Sequence, residues 1–193
     1  MKRLIIALFF CSFSSLLNGQ TVVTPEGLKF ENDVEFLVYD IENKAKETIY
    51  NNILLYVSQK YVSPKDVISK NENESITINA IADIVVGETN VGGKLIKSWN
   101  SPIKGRLNYT IALLFKDNKL RVNIPNANSI WLDDTKIYLQ GSNFGAPSNA
   151  PNVFNNKQKL TNPILKKSLE DFFNNFINEI VTNARGENQD TNW

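Results

Sequence analysis

GRLNYTIALLFKDNKLRVNI, Gly105 to Ile124, is the stretch whose reading decides the fold. Leu107, Tyr109, Ile111, Leu113 and Phe115 alternate with Arg106, Asn108, Thr110, Ala112 and Leu114. A period of two is that of a strand with one buried face. Asp117 and Asn118 suit a tight turn, after which Leu120, Val122 and Ile124 return on the same apolar side. The spacing predicts an antiparallel hairpin, greasy on one face and polar on the other.

Upstream, SITINAIADIVV (Ser75–Val86) alternates in the same way, and a short strand is expected over Asp66–Lys70, with NENE (Asn71–Glu74) as the turn between them. DVEFLVYDI (Asp33–Ile41) is short and rich in β-branched and aromatic residues, so it reads as a strand. In KAKETIYNNILLYVSQKY (Lys44–Tyr61) the apolar residues Ile49, Ile53, Leu54, Val57 and Tyr61 recur at helical spacing, Asn43 is the expected cap, and Pro64 closes the segment. The lead TVVTPEGLKFEND and the segment 87–102 read as irregular. The segment 125–160 is rich in Asn, Ser, Gly and Pro, with only TKIYLQ (Thr135–Gln140) resembling a strand, and reads as a long insertion.

At the other end, Asn162 and Pro163 open a helix whose face collects Leu165, Leu169, Phe172, Phe173, Phe176, Ile177, Ile180 and Val181, and Gly186 suits the position just past its end. In the closing GENQDTNW, the residues after Gly186, 187–193, are expected to be a disordered tail. The element order is β-α-β-β-β-β-α. It predicts an α+β domain over residues 21–186, an antiparallel sheet of about five strands with both helices on one face.

The first twenty residues, MKRLIIALFFCSFSSLLNGQ, have a basic start, an apolar run and a small residue at Gly19, the layout of a secretory signal peptide (1–20). Export to the periplasm or beyond is the expectation. The only cysteine, Cys11, and the only methionine, Met1, lie inside that leader, and the chain has no histidine. This excludes histidine-dependent triads, His/Cys zinc sites, haem with His or Met ligands, and a disulfide framework; no cofactor or metal is expected. Charge is nearly balanced, 21 basic against 20 acidic residues, and loss of Lys2 and Arg3 tips it slightly to acid, a poor match for nucleic acid or anionic lipid. No later apolar span has membrane length.

The aromatic strand EFLVYDI, the helix ending in KYVSPKDVI, the strand ITINAIADIVV and the hairpin LNYTIALLFKDNKLRVNI together resemble the secreted Bacteroidetes domains of unknown function described as having a TATA-binding-protein-like (TBP-like) fold. The resemblance covers roughly Phe30 to Asn123 and implies about five antiparallel strands with two helices on one side. It brings no catalytic signature and no DNA-binding role, because function lives in sites and not in folds.

GETNVGGKL (Gly87–Leu95) follows a strand as a phosphate-binding loop would, but Leu95 stands where Ser or Thr should hold magnesium, so it reads as a loop. Asp133 and Asp134 read as a solvated turn. Trp99 and Trp131 are placed in long loops, where aromatic rings can stack on sugars or anchor the loop. If the greasy face meets the helices, Thr77, Asn79, Ile81, Arg106, Asn108, Thr110, Arg121 and Asn123 look the other way. That set forms a hydrogen-bonding surface. The expected function is non-catalytic binding of a protein, glycan or small ligand through this face or the loops. The alternative is a hydrolase built on two facing carboxylates, for which the sequence offers no definite pair.

Overall fold

The computed structural model describes residues 19–91, 99–139 and 152–187. Its spine is one long hairpin. Strands β5 (Ser75–Val91) and β6 (Trp99–Lys116) pair antiparallel from Ser75 opposite Leu114 to Val91 opposite Trp99. Both outrun the expected strands, so most of the presumed loop 87–102 is paired backbone. The reason is local: the register shifts between Val85 and Gly87, and a bulge there ends the alternation that sequence reading follows.

β7 (Lys119–Asn123) returns along β6 after the Asp117–Asn118 turn, and β8 (Asn126–Leu132) continues along the same edge of β6 beyond Pro125. β3 (Phe36–Asp40) pairs with the outside of β7, β9 (Thr135–Ile137) with the outside of β8, and β4 (Ile68–Asn71) with β5. The sheet thus has seven antiparallel strands, more than the expected five, because the segment 125–160 supplies β8 and β9. Part of the presumed strand 66–70 is instead the short helix α2 (Pro64–Val67), begun by proline at a first-turn position. The lead is not irregular either: β1 (Thr21–Thr24) and β2 (Gly27–Phe30) form a separate hairpin.

Two long helices, α1 (Lys46–Lys60) and α3 (Pro163–Arg185), cover one face of the sheet. The alternating set Ile76, Ile78, Ala80, Leu107, Tyr109, Ile111, Leu113, Leu120 and Val122 is buried beneath them. From α3 come Leu165, Leu169, Phe173, Phe176, Ile177, Ile180 and Val181, while Phe172 is only partly buried. The Tyr109 ring lies edge-on to Phe172, Phe173 and Phe176, with centroids 5.1, 6.0 and 5.5 Å away. Such edge-to-face contacts add to the burial term. The stripe of the last helix is therefore core. Among the described residues, no helix is long and apolar enough to cross a membrane.

Three devices fix the helices in place. Asn162 caps α3 by accepting the Leu165 N–H at 2.9 Å and donates from Nδ2 to the Val86 carbonyl at 2.9 Å, while Ser168 Oγ accepts the Val85 N–H at 3.0 Å. The β5 bulge is thereby tied to the first turns of α3. At the far end Gly186, with φ 73°, closes the helix in the left-handed conformation. The start of α1 is capped from a distance. Ala45 has no side chain to offer and Asn43, the expected cap, sits at φ 57°; instead Asp117 Oδ1 accepts the Lys46 N–H and Asn118 Oδ1 the Lys44 N–H, both at 3.0 Å. The β1–β2 hairpin rests on α3, with the Thr21 N–H donating to Asn174 Oδ1 at 2.7 Å and the Val23 N–H to Glu170 Oε1 at 2.9 Å.

Candidate functional site

With one face of the sheet covered, the other is open, and each sequence-nominated residue can be placed on it. In register across β5 and β6, Asn79 stands opposite Thr110, Ile81 opposite Asn108, and Asp83 opposite Arg106. Thr77, opposite Ala112, shares this face. Arg121 on β7 stands opposite Leu114 on one side and Val38 on the other, and Asn123 opposite Phe36. Asn79, Arg106, Asn108, Thr110, Arg121 and Asn123 therefore share one surface.

Cross-strand hydrogen bonds order its centre. Asn128 Nδ2 donates to Thr110 Oγ1 at 2.8 Å, the Thr110 hydroxyl donates to Asn79 Oδ1 at 2.7 Å, and Asn108 Nδ2 donates to Ser129 Oγ at 2.8 Å. Asn128 and Ser129 were missed in the sequence. The register between β6 and β8 shifts at Asn108/Tyr109, a bulge that sets two successive polar side chains of β8 on the open face while Ala127 and Ile130 face inward. Period-two reading fails at such a point. A hydrophobic residue at 130 and an alanine at 127, three apart, are the only trace it leaves.

The two ends of the face differ from the centre. At one end the Arg121 guanidinium lies 3.7 Å from the centroid of the Phe36 ring and Nε donates to Asn123 Oδ1 at 2.8 Å. Phe36, Val38 and Leu114 are exposed around it, and the groove they share with Lys46, Lys116 and Lys119 has a volume of about 1080 Å³. At the other end Trp131 stands opposite Arg106, so it belongs to a strand and not to a loop. The backbone of Trp99 likewise begins β6, and its side chain lies outside the described residues. Gly105 is required here. A Cβ at that position would lie 2.6 Å from the Trp131 carbonyl oxygen and 2.5 Å from Val86 Cγ1.

Strongly perturbed side chains lie on the helix side instead. Tyr61 and Tyr109 share a hydroxyl–hydroxyl hydrogen bond of 2.6 Å; burial above all, and then this bond, push the Tyr109 phenol well above its ordinary value. The Tyr56 hydroxyl donates to Glu179 Oε2 at 2.6 Å, and Lys60 Nζ reaches the same oxygen at 2.5 Å. Burial, then the Glu179 carboxylate, raise Tyr56; for Glu179 burial works upward, but the bonds from Lys60 and Tyr56 outweigh it and hold the carboxyl below its usual range. These phenols stay neutral and serve the core. Carboxylates gather elsewhere, in a cavity of about 630 Å³ between β5 and α3 that Asp83, Glu88 and Asp171 line with Lys104 and Lys167, and there Lys167 pairs with Asp171 at 2.6 Å. No cluster of three metal-ligating acids occurs among the described residues.

Comparison with known proteins bears on the fold. No curated protein matches the chain. A TBP-like protein from Parabacteroides distasonis ATCC 8503 is similar in structure, with a TM-score of 0.51 at 15% identity over 78% of this chain and 90% of that one. A DUF4468 family protein from Bacteroides ovatus ATCC 8483 has a TM-score of 0.49 at 16% identity, over 78% and 84%. The family model that matches spans residues 36–129, from the first residue of β3 into β8, the segment that builds most of the sheet described above. Over those residues the chain is similar to the family described as a domain of unknown function (DUF4468) with TBP-like fold.

Proposed function

We propose that this protein is an exported, non-catalytic binding domain and that its open sheet face receives the ligand. One observation carries the reading: large apolar side chains are exposed on the same face as a pre-ordered polar network. Val38 is 50% exposed beside Phe36 and Leu114 at one end of the face, and Ile81, opposite Asn108, is 64% exposed nearer its centre. A sheet face with no task would be expected to carry polar residues there, since exposed apolar groups clustered on one surface mark interaction sites. The network needs no rearrangement to bind, which lowers the ordering cost of association.

The double variant Arg121→Ala, Asn108→Ala tests the face directly. Both side chains are at least partly exposed and neither fills the core, so the melting temperature should stay within a few degrees. A photo-crosslinker placed at Ile81 or Leu114 should form an adduct in living cells that the double variant loses, whereas one at the exposed α3 position Asn175 should not. Equal adducts from both surfaces overturn the reading. Export follows from the leader-like start; cell fractionation with N-terminal sequencing checks it, and a cytoplasmic protein that retains Met1 refutes it.

A further inference from the structure

We infer that the ligand of the open face is a neutral oligosaccharide lying along β6. The inference rests on the open-face reading above and names its ligand class. From Leu114 to Arg106 the strand advances eight residue steps, about 26 Å at the usual rise, enough for a short run of sugar rings. Between those ends the outward side chains are neutral amides and hydroxyls, with Ile81 and Ala112 among them.

The charge pattern argues against the other polymers. A polyanion needs cations spaced along its track. Here Arg106 and Arg121 stand at opposite ends of the track with neutral side chains between them, and Arg121 is already engaged with the Phe36 ring and Asn123. An extended peptide gains its main-chain hydrogen bonds at a strand edge and not on a sheet face.

The remaining hydrogen-bonding capacity suits hydroxyls. Once Thr110 has donated to Asn79 Oδ1, the Asn79 amide retains its two N–H donors; Asn128 and Asn108, which donate through Nδ2, retain carbonyl oxygens; and Ser129, which accepts, retains its hydroxyl proton. The face thus offers donors and acceptors side by side. A sugar hydroxyl both donates and accepts, and vicinal hydroxyls pair with such a surface without leaving a charge unmatched. Ile81, exposed beside Asn108, and Trp131 at the Arg106 end supply apolar surface for the C–H faces of the rings.

Affinity electrophoresis and calorimetry test this with soluble arabinoxylan, galactomannan, mixed-linkage β-glucan and dextran, against polygalacturonate and heparin as polyanions. At least one neutral polysaccharide should retard the protein, with little change between low and high salt. Asn79→Ala, Asn108→Ala should weaken that binding about tenfold or more with the melting temperature unchanged, as should Asn128→Ala alone if the double variant melts early. Binding to none of the neutral polysaccharides overturns the inference. Binding to a polyanion that the same variants abolish also overturns it, while leaving the open face as the binding surface. A neutral polysaccharide held equally well by wild type and by both variants refutes the ligand site and the open-face reading together.

Discussion

Tyr50 has its ring edge-on to Phe115 at 5.5 Å and is 2% exposed, yet its hydroxyl has no hydrogen-bond partner. A buried polar group without a partner costs about 1–3 kcal/mol. Tyr50→Phe should therefore be neutral or stabilising, and a thermal melt showing a loss of more than a degree or two would contradict this account. Glu179 makes the opposite case, a charged group with two donors. Its folded-state pKa lies below the unfolded one, so its contribution is present above the ordinary carboxylate range and is lost as pH falls through the depressed value. Stability measured from neutral toward acid pH should fall less steeply in Glu179→Gln than in the wild type. Identical acid limbs would remove the coupling to Lys60 and Tyr56 from the explanation.

At the scale of elements, α3 separates its phenylalanines by depth. Phe173 and Phe176 are fully packed, at 0% and 2% exposure, so truncation of either to alanine should cost about 3–5 kcal/mol. Phe172 stands partly in solvent and its alanine variant should cost visibly less; three equal drops in melting temperature would show that the helix is seated differently. The stripe itself was legible in the sequence because a helix keeps its 3.6-residue period over 23 residues. The β6–β7 hairpin was legible for the same kind of reason, an unbroken period of two. Interruptions of a period escaped: the bulge at Val85/Gly87 hid the far half of β5, and the bulge at Asn108/Tyr109 hid β8 with Asn128 and Ser129; the four-residue elements β1, β2 and α2 were too short to show a period at all. Three of the five residues in the polar network on the open face, Asn79, Asn108 and Thr110, were therefore visible in the sequence, and their partners on β8 were not.

For the whole molecule, the sheet is assembled from segments distant in sequence: β3 closes on β7, and α1 between them is capped by the β6–β7 turn. The hydrogen bonds that the Lys44 and Lys46 N–H groups at the start of α1 donate to Asn118 and Asp117 span 74 and 71 residues. That arrangement bears on the order of folding. A helix with its own cap can begin alone, but α1 has Ala45 at that position and so completes its first turn only after a hairpin made much later in the chain has formed. The hairpin is local and its contacts close short loops, so it belongs early in the reaction and the docking of α1 late. Asp117→Ala should then speed unfolding while leaving the refolding rate nearly unchanged, a φ-value near zero. A refolding limb slowed in proportion to the lost stability would instead place α1 in the nucleus. In a growing chain α1 is synthesised some seventy residues before its cap, so an amphipathic segment with an unfinished end waits for the turn that completes it.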